Sequence, residues 1–163
     1  MAALIIAIGN PLRRDDGVAL HMLKLLKVPQ GVTTYKAQQL TPELAMEICV
    51  FDLVIFADAD MVAERVVIEQ VDVPPPDCPL THVTRPQDVV ALSRVLFSFT
   101  GEAFVCRIPV IDLSQGESLS SYARNSAVNA TREIEAFLAV RVGNGVAVPV
   151  SEQGTPKRRR ARP

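Results

Sequence analysis

Apolar residues in this chain recur in two alternating rhythms: short continuous or β-branched runs, and longer stretches at helical spacing. Ala3 to Ile8 is unbroken and predicts a buried strand, Asp16 to Lys27 predicts a helix, and Thr33 to Ala37 a second strand. Thr41-Pro42-Glu43 then offers a hydroxyl, a first-turn proline and an acid, which predicts a helix running to about Val50. Leu53 to Ala57 is the most apolar strand candidate, whereas Arg65 to Val71 alternates with polar residues and reads as a strand nearer an edge. Pro74-Pro75-Pro76 and Pro79 confine Val73 to Leu80 to a loop. Thr84-Arg85-Pro86-Gln87 resembles a capping box and predicts a helix to about Phe97. Glu102 to Val110 predicts a strand, and Ser118 to about Val140 a closing helix with Leu119, Ala123, Ala127, Ala130, Ile134 and Leu138 near one face. Strands alternating with helices predict an α/β fold: a single three-layer domain, its mostly parallel, twisted sheet of about five strands carrying helices on both faces.

Composition narrows the picture. The chain has 163 residues, of which 48% are hydrophobic, enough for one well-buried core. No apolar run approaches the ~20 residues of a membrane span, and Met1 to Ile8 lacks the basic start and length of a secretory signal. Cys49, Cys78 and Cys106 are odd in number, widely spaced and without a Cys-x-x-Cys pair, so reduced thiols and a cytoplasmic location are expected. Cys49 and Cys106 fall at apolar core positions, and Cys78 in the proline-rich loop is the one expected to be exposed. A domain over residues 1–142 followed by a flexible basic tail over 143–163 is expected. Without the tail's five basic residues and one acid, the body holds 12 basic and 17 acidic residues, about −5, which argues against a nucleic-acid surface. No internal repeat and no exposed interaction stripe is visible, so a monomer without nucleic-acid or membrane partners is expected.

Candidate chemistry gathers where strands end. Gly9-Asn10-Pro11 makes a sharp turn after the first strand, followed by the paired acids Asp15 and Asp16. Ligands in open α/β sheets bind at the carboxyl ends of strands, and two acids are more than one helix cap requires. Asp16 follows strand one, Asp58 ends the Leu-Val-Ile-Phe-Ala strand, and His82 lies in the loop before the Thr84 helix. Parallel, adjacent strands would bring Asp16 and Asp58 to one edge, where two carboxylates and an imidazole form an oxygen/nitrogen metal site with open positions. Each residue also has an ordinary reading: Asp16 as a helix-terminal acid, Asp58 as a turn former, His82 as a surface loop residue. Dinucleotide, P-loop, His-Glu-x-x-His and Gly-x-Ser-x-Gly templates are absent, and no cysteine has an obvious histidine partner.

Gly9-Asn10-Pro11-Leu12 with Asp15-Asp16-Gly17 resembles the opening signature of the hydrogenase maturation endopeptidases. Further blocks resemble that family in the same order: Gln39-Leu40-Thr41-Pro42-Glu43-Leu44-Ala45, Val54-Ile55-Phe56-Ala57-Asp58-Ala59, His82 six residues before Asp88, and Glu117-Ser118-Leu119-Ser120. Together they span roughly residues 3 to 140. Ala19 stands where the family usually has a glycine, and Asp60 adds a third acid beside Asp58.

The resemblance implies a catalytic and metal-contacting triad of Asp16, Asp58 and His82, with Gly9, Asn10, Gln39 and Thr41 lining the substrate cleft. It implies an endopeptidase that removes the C-terminal extension of a [NiFe]-hydrogenase large-subunit precursor after nickel insertion. The nickel comes with the substrate and serves as the recognition signal, so no permanent cofactor is expected. A carboxylate, Asp16 foremost, or the metal would activate the water. A non-catalytic checkpoint or chaperone that binds the nickel-loaded large subunit would use the same triad.

Overall fold

The computed structural model describes residues 1–73 and 85–142. The loop from Pro74, Cys78, His82, the Thr84 cap and the 143–163 tail lie outside the described residues. In chain order the elements are β1 (Ala3–Ile8), α1 (Val18–Leu25), β2 (Val32–Ala37), α2 (Leu44–Ile48), β3 (Leu53–Asp60), β4 (Val67–Gln70), α3 (Pro86–Phe97), β5 (Glu102–Pro109) and α4 (Ser121–Val142).

These elements form the expected α/β architecture: one five-stranded sheet in the order β2-β1-β3-β5-β4, parallel except for the antiparallel edge strand β4. Side chains alternate across a strand, so each buried strand feeds two cores. Ala3, Ile5 and Ala7 of β1 and Leu53, Ile55 and Ala57 of β3 meet α1 and α4 on one face. Leu4, Ile6 and Ile8 of β1, with Val54 and Phe56 of β3, meet α2 and α3 on the other. Helix α4 presents small residues here; Ala123, Ala127 and Ala130 are fully buried, which lets its backbone lie close to α1 and β5. Among the described residues no helix is long and apolar enough to cross a membrane.

Several boundaries differ from the sequence reading, each for a local reason. The helix expected to run from Thr41 to about Val50 is only Leu44–Ile48, because Leu44, Ala45 and Met46 donate back to Thr41, Pro42 and Glu43 in tighter three-residue turns. Cys49 is therefore half-buried at the helix end, its thiol donating to Met46 O, while Cys106 is buried and burial pushes its thiol up to about 12. Helix α3 begins one residue later than expected: Arg85 is the N-cap, and its N–H and guanidinium both donate to Asp88. Strand β3 continues past Ala57 to Asp60, so Asp58 lies within the ladder, opposite Arg107 of β5.

The carboxyl edge of the sheet is closed by one buried acid. Asp15 is fully buried in the 3-10 turn Arg14–Gly17 and touches the segment entering α4. It accepts hydrogen bonds from the N–H groups of Ile111 (3.4 Å), Asp112 (3.2 Å) and Ser120 (2.7 Å), and from Ser120 Oγ (2.8 Å). Ser120 Oγ in turn accepts from Ala123 N–H at 3.0 Å, the side-chain cap of α4. Around this knot Arg14 N–H donates to Gly116 O and Gly116 N–H to Leu12 O. Asp15→Ala should cost about 1–3 kcal/mol, because it leaves several part-buried donors without their acceptor. Asp112→Ala removes an exposed ion pair to Arg14 and two exposed bonds from Ser114, and should cost about 1 kcal/mol, less than Asp15→Ala. Urea unfolding of the two variants measures both.

Candidate functional site

The chain leaves β1 for β2 on one side and returns to β3 on the other, so the crevice above β1 and β3 is the topological switch point of the sheet. Asp16 and Asp58 flank this crevice.

Asp16 is held by a turn that only glycine permits. Gly9 has φ +153°, and a Cβ placed there would sit 1.9 Å from the carbonyl oxygen of Asp16. The close approach allows Asn10 N–H to donate to Asp16 Oδ2 at 2.8 Å, while Asn10 Oδ1 accepts from Leu12 N–H at 2.9 Å. Neither acid is the helix cap: Gly17 is the N-cap of α1, with no side-chain cap bond. The paired carboxylates therefore divide their tasks, Asp15 inward as a tie and Asp16 toward the crevice.

Asp58 lies in β3 just past the last residue that pairs with β1, and accepts one hydrogen bond, from Ala59 N–H at 2.8 Å. Its proton affinity is raised, chiefly by burial and further by the charges of Asp16 and Asp60, which outweigh the Ala59 bond and bring its pKa to about 6. Asp60 differs. Burial alone would raise it, yet Val62 N–H, Ala63 N–H and Arg107 hold it below the ordinary value. Asp60 is thus occupied, whereas Asp16 Oδ1 and Asp58 Oδ2 accept no hydrogen bond from any described residue. A divalent cation fits this donor set in charge and hardness, since it would offset both the burial and the neighbouring charges that raise the proton affinity of Asp58. His82 lies outside the described residues, and among the described residues no third His, Cys, Asp or Glu completes a metal cluster.

A cavity of about 290 Å³ opens beside the turn, lined by Gly9, Asn10, Leu20, Lys36 and Gln38 among others. Of the residues expected at the substrate cleft, Gly9 and Asn10 line this cavity, but Asp16 and Asp58 do not. Gln39 is exposed and Thr41 half-buried, and neither lines this cavity. Lys36 and Gln38 were not expected; the signal lies in the register, which sets Lys36 against Ala7 and Ala37 against Ile8 at the carboxyl end of β1.

No protein-family model matches the chain, and no curated protein sequence matches it significantly. Solved structures do match. The hydrogenase-maturating endopeptidase HybD from E. coli superposes with a TM-score of 0.64 at 19% identity, covering 86% of this chain and 93% of that one. The hydrogenase 2 maturation peptidase from a Thaumarchaeota archaeon gives 0.63 at 17% identity, covering 86% and 100%. The [NiFe] hydrogenase maturation protease HycI from Thermococcus kodakarensis gives 0.62 at 19% identity, covering 84% and 92%. The chain has the fold of these endopeptidases over nearly their whole length.

The raised pKa of Asp58 has a stability consequence of definite sign. The folded state holds the proton more tightly than the unfolded chain, so this contribution is full below about 3.8 and is lost as pH rises through about 6. The loss is on the order of 3 kcal/mol. Asp58→Asn should therefore raise the melting temperature at pH 7.5 and flatten its fall between pH 4 and 6, as calorimetry across that range would show.

Proposed function

We propose that this protein is an endopeptidase that removes a C-terminal extension from a [NiFe]-hydrogenase large-subunit precursor once nickel has been inserted. The observation that carries this reading is the pairing of Asp16 and Asp58 across the switch point of a fold shared with hydrogenase maturation proteases. The ordered motif blocks from Gly9 to Ser120 support the same reading independently of the superposition.

In this mechanism the nickel is part of the substrate. Asp16 and Asp58 receive it through their free oxygens, and His82 supplies the third ligand. When bound, the metal polarises a neighbouring carbonyl or acidifies a water. The chain's own task is to orient the scissile peptide and to hold a proton. The water would be activated either by the metal or by a carboxylate acting as general base, Asp16 foremost. Asn10 supports Asp16 through its backbone N–H. The partner is the precursor protein, and the cofactor-like metal leaves with it.

Purified protein mixed with nickel-loaded and nickel-free precursor, read by intact mass, tests this. Loss of a C-terminal peptide from the nickel-loaded form alone is expected. Asp16→Ala, Asp58→Ala and His82→Ala should each slow processing by at least about a hundredfold while remaining folded. Folded variants that still process the precursor would sink the assignment. Binding without cleavage by the unaltered protein would instead make it a checkpoint protein.

A further inference from the structure

A larger cavity, about 790 Å³, lies between the edge strand β4 and the first half of α4, apart from Asp16 and Asp58. Val66 and Ile68 line its strand side, and Tyr122, Asn125, Asn129 and Arg132 its helix side.

The strand side calls for a backbone partner. Val71 N–H donates to Ala103 O at 2.8 Å, and the register sets Glu69 and Val67 against Val105 and Arg107. Bonded pairs alternate in an antiparallel ladder, so the N–H and C=O groups of Ile68 and Gln70 face away from β5. Among the described residues no strand pairs with that outer edge. An open edge is a template for strand addition.

The helix side offers matching groups. Asn125 and Asn129 are one turn apart on the same face. The side-chain hydrogen bonds of α4 involve Thr131, Glu135 and Arg141 and leave both amides unbonded among the described residues. Asparagine is a poor helix former, and two exposed interior positions would be more stable as alanine, lysine or glutamate. A side-chain amide, donor and acceptor together, complements a peptide backbone. Glu64 and Arg65 stand near one end of the groove and Arg132 and Glu133 near the other, none in an ion pair among the described residues. This balanced charge disfavours a polyanion and suits an uncharged backbone.

Position selects which peptide. Pro109, in the groove wall, is the register partner of Asp60, so the groove opens onto the same sheet edge as Asp58. An added strand would lie three strand spacings from β3, about 14 Å, which four to five extended residues cross. Tyr122 to Arg132 spans about 15 Å of helix, room for another four to five. We propose that the groove binds the precursor's extension as a sixth strand, beginning roughly four or five residues beyond the scissile bond; this rests on the peptidase reading above. The extension is the occupant because it lies outside the folded subunit and is free to extend.

The test uses full-length protein and nickel-loaded precursor. An Asn125→Ala/Asn129→Ala double variant should raise KM about tenfold with kcat unchanged, the mark of binding that does not change in the transition state. On a precursor shortened to end about three residues beyond the scissile bond, too short to cross to the groove, variant and unaltered protein should behave alike. Hydrogen exchange at the Ile68 and Gln70 amides should slow when uncleaved precursor is bound to Asp58→Asn protein. Unchanged KM in the double variant overturns the groove and leaves the peptidase standing. So does protection of those amides in the free protein, which would mean that the chain closes its own edge. Failure of the unaltered protein to cleave any nickel-loaded precursor overturns the peptidase reading and the groove with it.

Discussion

The buried carboxylate of Asp15 is the interaction on which the carboxyl edge of this sheet depends. Its hydrogen-bond partners are all donors, and they come from the loop after β5 and the first residue before α4. A buried carboxylate is costly to desolvate, and only several well-aimed donors offset that cost. Once they do, the turn after β1 and the entry to α4 become one rigid body, capped by the Ser120 hydroxyl. Asp16, the next residue, inherits that rigidity. A metal- or substrate-facing carboxylate needs such support, because its own freedom to relax would cost orientation at every encounter.

The electrostatics of the crevice follow from this placement. Asp16 and Asp58 are close enough for the charge of one to raise the proton affinity of the other. Asp60, two residues on, escapes because backbone N–H groups and Arg107 satisfy it. Asp58 and Asp60 on one sheet edge thus shift in opposite directions, according to what each can bond. Asp58, left under-compensated, flanks the switch point with Asp16, where the fold leaves space for a ligand.

Much of this was legible in the chain. Ala3 to Ile8 is strand to the residue, and the face of α4 read from Ala123, Ala127, Ala130, Ile134 and Leu138 is buried as expected. The polar alternation of Arg65 to Val71 marked an edge strand, and β4 is one. What was not legible rests on distant partners. Asp15 looked like a spare cap because its donors lie about a hundred positions away, at residues 111, 112 and 120. Asp58 looked like the residue after a strand because β3's extension to Asp60 is enforced by pairing with β5, not by its own apolar pattern. The lining of the cavity beside the β1 turn by Lys36 and Gln38 needed the β1–β2 register, and the groove beside β4 needed the antiparallel return of that strand. Local rhythm specifies elements; register decides what meets at their ends.

Register also links the crevice and the groove beside β4. Arg107 lies opposite Asp58 in the β3–β5 ladder and opposite Val67 in the β4–β5 ladder. Its guanidinium reaches Asp60 at 3.3 Å on one side and Glu69 at 2.7 Å on the other. Arg107 is half-exposed in both contacts, and each contributes little to stability by itself. Their value is geometric: one planar group with several fixed donors ties β3, β5 and β4 together at the edge where Asp58 emerges. The short strand β4 has few ladder bonds to resist sliding, and a one-residue slip would turn Val66 and Ile68 away from α4. By pinning β4 to the acids of β3, Arg107 keeps the groove floor in register with the crevice.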